Sequence, residues 1–151
     1  LTNMRIHPQI RHAPDPDHPG WSTWDLPGDG RFASTVGKLL VRAEAPARAR
    51  VRMFPGEAHT NLSGAMHGGA VMTFIDMAFF AGGALAGADV AFAVTLDCET
   101  RFLAPGKPGT PLDAEVEILR ETGRLVFLRG LLVQDGAAIA SFSGTLRKAK
   151  G

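Results

Sequence analysis

The sequence predicts an α+β fold in which a curved antiparallel sheet wraps around one long buried helix. Three observations lead there. Only one stretch, Gly68 to Ala86, carries a long helical pattern, and it is apolar all round, which places a helix at the centre of a fold. The segments around it alternate with a period of two, most clearly Arg48, Arg50 and Arg52 against Ala49, Val51 and Met53, which marks strands with one wet face. After the helix, strand patterns follow one another through tight turns, the order of a meander and not of alternating βαβ units.

The 151 residues, 45% hydrophobic and 21% charged, suit one globular domain that buries its own core. The formal charge of +1 gives no electrostatic case for nucleic acid or an anionic membrane. Cys98 is the single cysteine, so no internal disulfide forms. Residues 1 to 25 contain no apolar core of a secretory signal, and the expectation is a cytoplasmic protein. Ala65 to Ala88 is long enough to span a bilayer, but Asp76 falls near its middle, where a carboxylate is costly. No membrane partner is expected.

In chain order, residues 1–30 carry Pro8, Pro14, Pro16, Pro19 and Pro27. Prolines this dense oppose helix and ladder pairing, so this part reads as an irregular arm ahead of a domain at 31–151. His7, His12 and His18 lie in the arm with no cysteine or carboxylate set to complete a metal site; they read as loop residues, and no metal is expected. Trp21 and Trp24 should pin the arm to the body. Phe32 to Glu44 and Ala47 to Phe54 read as two strands around Ala45-Pro46. Pro55-Gly56-Glu57 ends the second, and a loop runs through Asn61 to the helix. Strands then follow at Val90 to Leu103, Leu112 to Arg120, Leu125 to Gln134 and Ala138 to Arg147. Pro105 to Gly109 breaks the first of these. Asp135-Gly136 is a hairpin signal.

Asp76 stands among Phe74, Ile75, Met77 and Ala78. Burying a carboxylate among such neighbours is expensive unless it is paired or bonded, and buried carboxylates cluster at active sites. At the other end of the helix, His67-Gly68-Gly69 lets a ligand approach the backbone, and the first helical N–H groups have no partners in the helix. The N–H of Gly68 could hold a carbonyl oxygen that becomes an oxyanion. Eight residues separate Gly68 from Asp76, about 12 Å of helical rise. One chain cannot aim both at a single carbonyl, whereas two antiparallel helices across a two-fold axis can. The chemistry therefore calls for a homodimer with two composite sites.

The run Asn61 to Gly69, with Asp76 beyond it, resembles the PaaI-like acyl-CoA thioesterases of the hotdog fold. Asn lies six residues before the His, and Asp nine after it. The likeness continues through Val94 to Asp97 and Phe102 to Lys107, covering about residues 55 to 148. It implies hydrolysis of an aryl- or fatty-acyl-CoA to free acid and CoA. It implies Asp76 as nucleophile or general base, Gly68 as the polarising N–H, Asn61 as a residue placing water or leaving group, and His67 as an orienting residue. Thr95 would help hold the attacking water. Phe102, Pro105, Gly106, Lys107, Arg120, Gly123 and Arg124 occupy positions that meet the CoA part of the substrate. The family implies a dimer and often a tetramer, and no separate cofactor.

Two other functions remain compatible with the residues: a hotdog protein that binds acyl-CoA without turnover, and a hotdog enoyl-CoA hydratase or dehydratase. A binder has little reason to bury Asp76, and His67 and Asp76 lack the spacing of an acid–base pair at the acyl β-carbon. Cys98 alternates with Leu96 and so shares its face, reading as a small apolar residue. No Gly-x-Ser-x-Gly motif is present. Met72, Phe74, Phe79 and Phe80 could receive an apolar acyl group or serve as core.

Overall fold

The computed structural model describes residues 6–28 and 30–150; residues 1–5 of the expected arm, residue 29 and residue 151 lie outside the description. Among the described residues, seven strands form one antiparallel sheet. They are β1 (Ser22–Thr23), β2 (Leu39–Ala45), β3 (Arg48–Met53), β4 (Val94–Phe102), β5 (Leu112–Glu121), β6 (Leu125–Gln134) and β7 (Ala137–Arg147). A single α-helix, α1 (Gly68–Leu85), lies between β3 and β4 in the chain. The sheet order is β1-β2-β3-β5-β6-β7-β4. The strand after the helix thus crosses to the far edge and pairs with the last strand. This is the hotdog arrangement.

α1 begins where His67 caps it, its Nδ1 accepting from the Gly69 N–H at 2.8 Å, a bond that satisfies one orphan donor of the first turn. It ends at Leu85, and Gly87 two residues on, with a φ of 106°, lets the Ala88 N–H reach back to the Gly83 carbonyl at 2.9 Å, as glycines after helix ends do. Phe74, Ile75, Ala78 and Phe79 are fully buried against the sheet. The Phe79 ring meets Phe142 edge-on, 5.7 Å between centroids, and fills the space over Gly144, where a Cβ would lie 2.4 Å from the ring. By length and apolar composition α1 could cross a membrane, with mean hydropathy 1.4, but more than half of it is buried in this fold. Its remaining side carries Met72, Thr73, Asp76 and Phe80, none of them fully covered.

The outer face of the sheet is an ionic lattice, as the arginine alternation predicts. Arg52 forks onto Asp113 at 2.6 and 2.8 Å. Arg50 joins Glu44, Asp113 and Glu115, and Glu117 takes Arg48 and Arg129.

Two expectations need correction. Phe32–Val36 is a 3₁₀ turn and the strand starts at Leu39; Gly37, at φ 79°, breaks the run between them. The arm is in part regular. Ser22 and Thr23 pair with Val41 and Leu40, and Arg11–Asp25 and Pro14–Ser22 form bridges within it. Trp24 is in the core and Trp21 is buried between Arg42 and Arg52, whose guanidiniums stand 4.4 and 4.5 Å from its ring.

Candidate active site

Asp76 sits half-buried in the middle of α1, and the Thr95 hydroxyl of β4 donates to its Oδ1 at 2.6 Å. A bulge makes this pairing possible. Thr95 lies opposite Leu146 but Asp97 lies opposite Thr145, leaving Leu96 as the extra residue. Such a residue shifts the alternation by one. Thr95, Cys98 and Thr100 therefore turn inward together while Leu96 is 52% exposed. Cys98 and Leu96 accordingly do not share a face, contrary to simple alternation. Burial pushes the Cys98 thiol up, with the carboxylates of Asp76 and Asp97 acting in the same direction. The protonated form is favoured, which is the wrong state for a nucleophile.

The second group of residues lies at the start of the helix. Asn61 is exposed, and its Oδ1 accepts from the N–H groups of Ser63 and Ala65 at 2.9 and 3.2 Å, folding the loop that precedes His67. The His67 N–H donates to the His59 carbonyl, and the Met66 N–H to the Gly106 carbonyl, both at 2.8 Å. These bonds tie the 3₁₀ turn Glu57–His59, the helix start and the loop after β4 into one cluster. Gly68 lies under the Phe102 ring, 3.5 Å from where a Cβ would stand. Among the described residues nothing accepts the Gly68 N–H.

The positions expected to meet CoA divide between the two groups. Phe102, Pro105 and Lys107 are exposed beside the helix start, and Gly106 is buried under Met66. Lys107 pairs with Asp135 at 2.7 Å. Arg120, Gly123 and Arg124 are exposed at the opposite end of the sheet. The ladder row of Thr95 runs through Leu146 and Val126 to Glu121, and that of Phe102 through Ala140 and Leu132 to Ala114. The rows are seven residues apart on β5, about 24 Å at strand rise. One chain thus gathers Asn61, His67, Gly68 and Phe102 to Lys107 at one end, and Asp76, Thr95, Arg120, Gly123 and Arg124 at the other.

β4 is an edge strand of nine residues. Val94, Leu96 and Phe102 along it are each about half exposed, as are Phe92 just before it and Leu103 just after it, and Asp97, Glu99 and Arg101 between them are exposed as well. An edge strand of this length, with apolar residues at both ends, is a template for another strand.

Sequence reasoning did not anticipate a cavity of about 380 Å³ beside Asp76, walled by α1 on one side and by the arm on the other. Phe80 contributes to it, whereas Phe74 and Phe79 are core. Met77 and Ala84 also line it, and the spacing of Phe80 and Ala84, four and eight residues beyond Asp76, was the available signal. Among the described residues no group of three or more histidines, cysteines or carboxylates could hold a metal ion.

Residues 63–140 match the Thioesterase superfamily. The phenylacetic acid degradation protein PaaI from Thermus thermophilus, solved in a substituted form, is 30% identical, with a TM-score of 0.65 over 78% of this chain and 98% of that one. Thioesterase superfamily member 2 from Mus musculus is 26% identical, with a TM-score of 0.67 over 77% of this chain and 86% of that one. No protein of the curated set matches. With the family match spanning half the chain and a PaaI protein at 30% identity over nearly its whole length, the chain belongs to the Thioesterase superfamily as a PaaI-like thioester hydrolase of the hotdog fold.

Proposed function

We propose that this protein hydrolyses an aryl- or fatty-acyl-CoA to free acid and CoA, with Asp76 of one subunit and Gly68 of its partner acting on one carbonyl. The observation that carries the proposal is the half-buried Asp76 carboxylate, bonded by Thr95 at 2.6 Å and open to a cavity. The division of the site into two ends supports a dimer. Antiparallel pairing of two β4 edges about a two-fold axis sets the Phe102 end of one chain beside the Val94 end of the other. That pairing unites Asn61, His67, Gly68 and Lys107 with the partner's Asp76 and the partner's Thr95, twice per dimer, and covers the apolar edge.

In such a site the thioester carbonyl docks on the Gly68 N–H, where the helix dipole favours the developing oxyanion. Asp76 either attacks the carbonyl carbon or takes a proton from a water held by Thr95. The carbon–sulfur bond breaks, CoA leaves as a thiolate that regains a proton, and water supplies the hydroxyl of the product acid. The exposed Lys107, Arg120 and Arg124 suit the phosphates of CoA. Cytoplasmic residence fits a CoA ester as substrate.

The test is loss of thioester absorbance across a panel of aryl- and alkyl-CoAs, with Asp76→Asn alongside. Turnover that falls by about 10²–10⁴-fold in the variant, the scale of a lost acid–base group, supports the proposal. Full activity in a folded Asp76→Asn protein would refute it.

A further inference from the structure

The cavity beside Asp76 has an unusual second wall. On α1 it follows Asp76 through Met77, Phe80 and Ala84, a strip eight residues long, or about 12 Å. The facing wall includes Ile10, Trp24 and Leu26, all outside residues 63–140 that match the superfamily. This wall is built into the fold. Arg11 and Asp25 exchange two backbone hydrogen bonds of 2.9 Å, Trp24 is 5% exposed, and Asp15 is held by Lys38 at 2.6 Å.

We infer that this cavity receives the acyl group of the substrate and that the N-terminal arm, through Ile10 and Leu26, limits how long that group can be. The inference rests on the proposed hydrolysis at Asp76, since an acyl carbon placed at that carboxylate directs its chain into the cavity. The lining is mainly apolar, with His7, Gln9, Arg31 and Ser34 as its polar members beside Asp76, which fits a hydrocarbon along the helix wall. A volume of about 380 Å³ lies at the small end of the roughly 300–1,000 Å³ of ligand pockets. With carbon–carbon bonds of about 1.5 Å, a zigzag chain of roughly nine carbons spans the strip. The substrate class is therefore compact: aryl or medium-chain acyl groups, with long chains turned away by the arm.

The experiment compares the native protein with Ile10→Trp, which fills the cavity, and with the double variant Ile10→Ala/Leu26→Ala, which opens it. Both changes fall on half-buried arm residues, and circular dichroism checks folding. Two profiles are read against chain length from two to sixteen carbons: kcat/KM for acyl-CoAs, and Kd for non-hydrolysable S-alkyl-CoA thioethers. Filling should lower both measures of preference for the octanoyl and octyl compounds by about tenfold relative to the two-carbon ones, and opening should raise those for sixteen carbons by a similar factor, the scale of a few methylenes in a pocket. Length profiles that stay parallel in all three folded proteins would overturn the inference even if hydrolysis is vigorous. No turnover with a shifted Kd profile would overturn the hydrolytic reading and leave the inference standing.

Discussion

The Thr95 hydroxyl reaches Asp76 Oδ1 across 2.6 Å, joining the centre of the helix to the edge of the sheet at one carboxylate. A hydrogen bond to a charged group is worth about 1.5–3 kcal/mol, so its removal should be visible in rate. Thr95→Val should lower kcat roughly ten- to a hundredfold on that basis, while Thr95→Ser, which keeps the hydroxyl, should recover most of it. Steady-state kinetics on both variants provides the check.

The two halves of the site lie at opposite ends of one chain, which makes complementation a direct test. Asp76→Asn and a helix-start variant such as Asn61→Ala are each expected to be weak alone. After unfolding and refolding together, a mixed dimer would hold one site with both lesions and one with neither. Random pairing should then restore about a quarter of native activity, as two-fold symmetry requires. In the same vein, Val94→Lys/Leu96→Lys should yield an inactive monomer in sedimentation experiments, because two charges replace the apolar edge.

Gly82 packs directly on β5. A Cβ there would lie 2.6 Å from Val116 Cγ2, closer than the atoms allow, and Val116 is buried at its branch point and cannot swing aside. Gly82→Ala should cost about 1–3 kcal/mol of overpacking, outweighing the gain in helix propensity of about 1 kcal/mol. Adding Val116→Ala should return part of the loss. Urea midpoints of the three proteins decide it.

Asp113 is 6% exposed and is bonded by both Arg50 and Arg52. Asp113→Ala would take the carboxylate from Arg52 and leave Arg50 with Glu44 and Glu115. Breaking a buried pair costs about 3–5 kcal/mol, and since both arginines still reach water the low end, about 3 kcal/mol, is expected from denaturant unfolding.

Lys38 holds the Asp15 carboxyl far below its ordinary value of 3.8, against the opposing effect of burial and with help from His18. A depressed carboxylate stabilises the fold above its unfolded pKa and loses that contribution as pH falls toward the folded one. The Tm gap between the native protein and Asp15→Asn should stay constant from neutral pH to about pH 5 and then shrink below about pH 4.

Much of the architecture is legible because strong local signals agree. Arg48 to Met53 alternate cleanly, Gly68 to Leu85 is uniformly apolar, and Asp135-Gly136 sets a hairpin. Asp76 and Gly68 stand out because one is a charge in an apolar run and the other a glycine at a helix start. What local reasoning misreads depends on tertiary context. The chain at Phe32 to Val36 has strand-like composition, but Gly37 at positive φ separates it from β2. The inward turn of Cys98 depends on a bulge at Leu96, which alternation cannot foresee. The second wall of the cavity comes from a proline-rich arm whose ties, Trp24 and Asp15, find their partners only when the chain is folded.

The position of β4 has a consequence for the order of assembly. Its sheet partner is β7, the last strand in the sequence, so the contact between Thr95 and Asp76 depends on residues some fifty positions downstream of Thr95. Long-range pairing of this kind comes late, because loop closure precedes its reward. While the chain is being synthesised, the helix and its carboxylate exist before the strand that completes them has a place to dock. The edge that the proposed dimer would cover is fixed in place at that same late step, so pairing with a second copy would follow the closure of the sheet.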